Sequence, residues 1–157
     1  VWTEYGASAD AGAVRWSPLD GGPSVLLAFA QQSPDAVAAY GGYAYWVSAG
    51  DGTVRRVKDD GTGGVETLAS GESAPVAIAV DASGVYWVDA GTGPDYLDGA
   101  LRRADLTAGT GTITTMMPGI VNVQAMAIDD ANVYVCNAGT VGKQFHDGTI
   151  WQMAKTY

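Results

Sequence analysis

One cysteine, Cys136, and one histidine, His146, are present in 157 residues. A single thiol permits no intrachain disulfide and no cysteine-based zinc site, and it leaves the redox compartment unencoded. Basic residues are also few. Eight Lys and Arg stand against seventeen Asp and Glu, giving a formal net charge of −9, and they are scattered along the chain. That argues against a nucleic-acid partner, because holding a phosphate backbone takes clustered cations. The acidity reads first as a solubility device, with cation binding or recognition of a basic partner as the functional alternatives. No apolar run approaches the roughly 20 residues of a membrane span; the longest, SVLLAFA, runs from Ser24 to Ala30. The chain opens at Val1 with neither methionine nor a basic-then-apolar leader, so a processed form or a fragment is expected.

What is abundant is apolar residues and glycine: 47% of the chain is hydrophobic and 22 residues are glycine. Mean hydropathy is +0.05, a composition that builds a core. The stretch Pro75 to Asp89, PVAIAVDASGVYWVD, has an in-register copy on each side, Pro34 to Ser48 and Val123 to Asn137. Aligning Pro34, Pro75 and Val123 brings Trp46, Trp87 and Val135 into register without a gap. A second element recurs four times in constant order, as Gly12-Ala-Val-Arg-Trp, Gly52-Thr-Val-Arg-Arg, Gly99-Ala-Leu-Arg-Arg and Gly148-Thr-Ile-Trp-Gln. A short apolar segment follows it at Val25 to Ala30, Glu66 to Ala69 and Ile113 to Met117.

Each segment is short, rich in Val, Ile, Tyr, Trp and Thr, and bounded by Gly, Asp, Asn or Pro, which predicts strands and turns throughout. Runs such as AIAV and VYWV do not alternate with polar residues, so these strands are buried on both faces, as in stacked sheets. Positions 2, 46, 87 and 135 lie 44, 41 and 48 residues apart, a period that matches four-stranded propeller blades. The expected fold is therefore all-β: β-propeller blades of four antiparallel strands, about four of them, the first and last incomplete. Residues 1–30 form blade 1 (strands two to four), 34–70 blade 2, 75–117 blade 3 and 123–157 blade 4 (strands one to three).

Tyr45-Trp46-Val47-Ser48 and Tyr86-Trp87-Val88-Asp89, each led by a proline-started strand, resemble the YWTD and NHL-like group of β-propellers. The bacterial glycine-rich versions, with Val-Tyr-Trp followed by Gly-x-Val-Arg-Arg, are the most similar, and Val1-Trp2-Thr3-Glu4 looks like a clipped copy. Tyr134-Val135-Cys136-Asn137 departs from the pattern, which implies weaker aromatic packing in the last blade. The resemblance implies a ring of roughly six to eight blades, so the rest of the propeller, or a second copy completing the ring, is the expected partner. It also implies export, to an extracellular or periplasmic site.

On such a fold the loop from strand two to three and the link from strand four to the next strand one open on the same face. Measured from the tryptophan position to the following glycine, the two-to-three loops span 10, 6, 12 and 13 residues. The three enlarged loops are candidates for recognition. They carry Tyr5, Asp10, Asp95, Tyr96, Asp98, Lys143, Phe145, His146 and Asp147. Aromatic rings between carboxylates suit a carbohydrate, peptide, protein or basic side-chain ligand. Calcium is the metal to consider, with Asp89, Asp95 and Asp98 as hard oxygen donors, although their spacing matches no established calcium loop.

Other acidic and basic features read as structural. Asp59-Asp60-Gly61 marks a hairpin turn, and Asp81, Asp129 and Asp130 serve turns between strands one and two. Cys136 takes the position of Val47 and Val88 and reads as a small buried hydrophobe. His146 beside Asp147 reads as a surface histidine, since no nucleophile is placed with them. The Arg55-Arg56 and Arg102-Arg103 pairs alternate between facing solvent and stacking on an aromatic ring. The function expected is a non-catalytic binding or scaffold module. The alternatives are a metal-dependent propeller enzyme, a lyase or lactonase-type hydrolase, and a structural repeat that mediates assembly.

Overall fold

The computed structural model of the chain describes residues 1–8, 10–93, 96–106, 112–144 and 146–155. Among the described residues, fourteen strands are arranged in four antiparallel sheets. The first holds β1 (Trp2–Glu4), β2 (Gly12–Trp16) and β3 (Val25–Gln31). The second holds β4 (Pro34–Tyr40), β5 (Tyr43–Ser48), β6 (Thr53–Lys58) and β7 (Glu66–Ser70). The third holds β8 (Pro75–Asp81), β9 (Gly84–Asp89), β10 (Gly99–Ala104) and β11 (Ile113–Ile120), and the last β12 (Val123–Ile128), β13 (Asn132–Asn137) and β14 (Ile150–Ala154). These are four propeller blades, the outer two with three described strands each. Strands β4, β8 and β12 touch in succession and are the inner strands.

Burial explains why the Tyr-Trp strands carry no polar alternation. Every residue of β9 is buried, and so is every residue of β5 after Tyr43, because blades cover both sides. Three apolar clusters lie between neighbouring blades. Val14, Leu27 and Ala28 pack on Trp46, Ala44 and Val57. Tyr45, Val47 and Val54 pack on Trp87 and Val85. Tyr86, Val88 and Leu101 pack on Val133 and Val135. One parity of each strand two thus faces the following blade, and the other parity faces the preceding one.

The repeat extends to irregularities that no sequence pattern announces. Strand four carries one extra residue in three blades: Val14 and Arg15 pair with Ala28 and Leu26, Val54 and Arg55 with Ala69 and Thr67, and Leu101 and Arg102 with Met117 and Thr115. These bulges bend the outer strand and increase its twist. In the third blade a further shift carries β11 on to Ile120, longer than its apolar run indicates. Pro118 is tolerated there because β11 is an edge strand, where a missing donor breaks no ladder.

Asp81 and Asp129 serve their turns as expected. The Asp81 carboxylate accepts from Ser83 N at 2.8 Å, and Asp129 from Ala131 N and Asn132 N at 2.8 and 2.7 Å. These Asx turns also anchor a cation that the sequence does not single out. Lys155, buried at 5% exposure, donates to the Asp81 carboxylate and the Asp129 carbonyl, and its ammonium lies 5.3 Å over the Tyr86 ring. The last blade is thereby tied to the third at the face opposite the enlarged loops.

Candidate functional site

Two kinds of loop meet at the starts of the inner strands. The link into each strand one passes through a left-handed residue, Ser33 (φ 49°), Ala74 (φ 56°) and Asn122 (φ 49°). Its carbonyl accepts from the start of the following two-to-three loop: Ala49 N to Ser33 O at 3.1 Å, Ala90 N to Ala74 O at 2.9 Å and Ala138 N to Asn122 O at 3.1 Å. Asparagine suits this conformation, whereas serine and alanine adopt it at a cost. The hydrogen bonds hold it and pin the two loops together on one face.

Beside these links lies a concavity of about 490 Å³. Asp35, Val76 and Gln124, the second residues of three successive inner strands, line it together with Ala74, Asn122 and Tyr96. Tyr96, 46% exposed, reaches it from the enlarged loop of the third blade, with its backbone in the left-handed region (φ 48°) and its carbonyl accepting from Asn122 N at 3.0 Å. Gln124 Nε2 donates to Asn122 Oδ1 at 2.8 Å, and Asn122 Nδ2 donates to Gly139 O at 3.3 Å, which fixes the amide rim. Burial pushes the Asp35 carboxyl above its ordinary range, and no described residue donates to it. The arrangement offers an aromatic face, a carboxylate and an amide in a predominantly polar concavity.

The other loop residues are placed differently. Asp98 accepts from Thr92 N at 2.8 Å and Thr92 Oγ1 at 3.0 Å; Asp147 does the same with Thr140 at 2.8 and 2.9 Å. These bonds hold both carboxyls below their ordinary range. The clamps close the base of each loop and need glycine opposite them. Gly91 and Gly139 have φ of 89° and 85°, and a Cβ on either would lie 2.4 Å from the clamping carboxylate. Tyr5, Asp10, Lys143 and His146 are exposed and line no part of the concavity. Asp95 and Phe145 lie outside the described residues. Asp89 and Asp98 do not share partners, and among the described residues no three His, Cys, Asp or Glu side chains are grouped to hold a metal.

Behind the concavity is a polar cluster that sequence reasoning missed. Glu72, three residues before β8, is buried and accepts from Trp87 Nε1 at 2.9 Å and from Arg102 Nη2 at 3.3 Å. Asp89, also buried, lies 3.9 Å from Arg102. Two buried carboxylates share one guanidinium, and Asp89 Oδ1 has no partner among the described residues. Burial first, and then repulsion from Glu72, push the Asp89 carboxyl up to about 7.

The second blade repeats the geometry with less charge: Gln31 Oε1 accepts from Trp46 Nε1 at 3.1 Å and Arg55 Nη1 at 2.8 Å, and Arg55 also pairs with Asp51 at 2.7 Å. Arg55 and Arg102 are therefore clasps between blades, a correction to the solvent-facing role expected of them. Trp plus Arg need a polar acceptor from the preceding blade, and they hold it there. Arg56 and Arg103 do stack, over Tyr43 and Tyr86 at 4.7 and 5.9 Å. A signal existed in the sequence. The position three before strand one is Gln31, Glu72 and Ile120, and it turns apolar in the one blade where Val135 and Trp151 replace tryptophan and arginine.

No family model matches the chain. No curated protein matches it either. Among solved structures it is similar to a chain in the crystal structure of a nidogen/laminin complex, at 16% identity with a TM-score of 0.72, over 89% of this chain and 52% of that one. It is also similar to the computationally designed Ika4 protein, at 22% identity with a TM-score of 0.59, over 84% of this chain and 74% of that one. The chain spans about half the length of the matched chain in the nidogen/laminin complex. Likeness at these identities shows the β-propeller-like fold, which hosts many functions.

Proposed function

We propose that the protein is a non-catalytic binding module whose ligand sits in the concavity at the starts of the inner strands, against Tyr96. The observation that carries this reading is the posture of Tyr96. An aromatic residue is held in a left-handed backbone and kept half exposed, beside a concavity lined by three inner strands. Strained residues that the surrounding hydrogen bonds over-determine cluster at ligand sites. A tyrosine also supplies contact area at low entropic cost. The carboxylate of Asp35 and the amide of Gln124 suit a ligand rich in hydrogen-bond donors, a carbohydrate or a short peptide.

The test is retention on a panel of immobilised oligosaccharides and lysine- or arginine-bearing peptides. Tyr96→Ala is expected to weaken binding by about tenfold or more, the loss typical of an aromatic anchor, with an unchanged melting temperature. Unchanged retention would overturn the reading. So would a large fall in melting temperature, which would mark Tyr96 as a packing residue.

A further inference from the structure

We propose that the concavity beside Tyr96 takes an arginine side chain of a basic peptide, its guanidinium paired with the Asp35 carboxylate and stacked on the tyrosine ring. This names the ligand class of the site proposed above and rests on that reading. Asp35 and Tyr96 belong to the second and third blades, each flanked on both sides by another blade, so neither stands on an outer face.

Charge is the first observation. Asp35 is the one carboxylate lining the concavity, and no Lys, Arg or His lines it. Val76 and Gln124 hold the same position in the next two inner strands, so the repeat itself does not call for an acid there. Asp81, Asp98, Asp129 and Asp147 each close a turn or a loop. Asp35 closes none: no described residue donates to its side chain, and burial alone acts on its carboxyl. All eight Lys and Arg of the chain are among the described residues. Five are ion-paired with other carboxylates, and none pairs with Asp35. A partly desolvated carboxylate without a counter-charge is stabilised by a cation brought to it.

The rest of the rim accepts as well. Gln124 Nε2 and Asn122 Nδ2 donate within the protein, at 2.8 and 3.3 Å, which leaves Gln124 Oε1 to accept from a ligand. A guanidinium answers each feature: two N–H groups donate side by side to a carboxylate, the flat face stacks on a tyrosine, and further N–H groups reach an amide oxygen. A lysine ammonium matches the carboxylate but lacks the flat face, and a neutral sugar leaves the carboxylate without a counter-charge. The chain's net charge of −9 draws a basic peptide in, and added salt weakens that attraction.

The experiment is equilibrium titration of the intact chain with end-blocked Gly-Arg-Gly, its lysine and citrulline counterparts, and chitin and chitosan oligomers. Citrulline keeps the shape of arginine without the charge. The arginine peptide is expected to bind tightest, the citrulline peptide about tenfold or more weaker, and salt to weaken the arginine peptide selectively. Asp35→Asn is expected to bring the arginine peptide down to the citrulline level. Equal binding of the arginine and citrulline peptides would overturn the proposal, and so would undiminished binding to Asp35→Asn or a preference for chitosan. Chitin binding that is lost in Tyr96→Ala but kept in Asp35→Asn would uphold the site and reject the arginine. Retention of none of these probes would reject both.

Discussion

Truncating Trp46 to alanine is expected to lower the unfolding free energy by about 4 kcal/mol, the upper range for large-to-small core substitutions. Trp46 is fully buried between the first two blades against Val14, Leu27, Ala28 and Val57. The substitution opens a cavity that two packed sheets cannot collapse into, and it removes one of the two donors on buried Gln31. Against a total stability of roughly 5–15 kcal/mol for a domain of ordinary size, that is a large share. Urea denaturation followed by tryptophan fluorescence reads it as a fall in midpoint with the slope preserved. A loss below about 1 kcal/mol would mean that the junction is looser than the packing indicates.

The second large effect depends on pH. Arg102→Met removes the one cation shared by Glu72 and Asp89, and an unmatched buried charge costs about 3–5 kcal/mol. That cost is expected at pH 8 and shrinks toward pH 5, where a proton on Asp89 leaves one fewer buried charge unmatched. Asp89→Asn should act in the opposite direction. The folded-state pKa of Asp89 is raised from 3.8 to about 7, so the folded protein binds this proton more tightly than the unfolded chain does. Its contribution to stability is complete below about pH 4 and is lost as pH rises through about 7. The asparagine variant lacks that loss. It is expected to match the parent near pH 4 and to exceed it at pH 8 by an amount on the order of a few kcal/mol. Parallel pH profiles for the two proteins would contradict the assignment of the proton to Asp89.

Such a cluster was hidden from the sequence for a physical reason. In a chain with seventeen acidic residues, a glutamate between Gly71 and Ser73 looks solvated. Its burial follows from where the preceding blade ends relative to Trp87 and Arg102, which is a tertiary fact. The blades themselves were legible because gapless copies of one supersecondary unit constrain strand number and order together. The bulges at Leu27, Leu68 and Met116 were not, since an extra residue in an edge strand leaves no hydrophobic signature.

The candidate site was half legible. Loop enlargement led to Tyr96, which does stand over a concavity. It could not lead to Asp35 or Gln124, which line the concavity through their place at the start of inner strands rather than through loop length. Nor could it separate Tyr96 from Asp98, whose carboxylate oxygens are both engaged by Thr92. Repeated threonine–aspartate spacing in the third and fourth blades, Thr92 with Asp98 and Thr140 with Asp147, is the pattern that would have shown these carboxylates closing their loops.

The most direct test of the proposed site is a map of backbone amide shifts by heteronuclear NMR, recorded while the tightest-binding member of the oligosaccharide and peptide panel is titrated in. The account predicts that the largest shifts fall on Ala74, Ala90, Tyr96, Asn122 and Gln124 and vanish in Tyr96→Ala. Shifts centred on the opposite face, around Ser83, Asp129 and Lys155, or confined to Lys143 and His146, would contradict it.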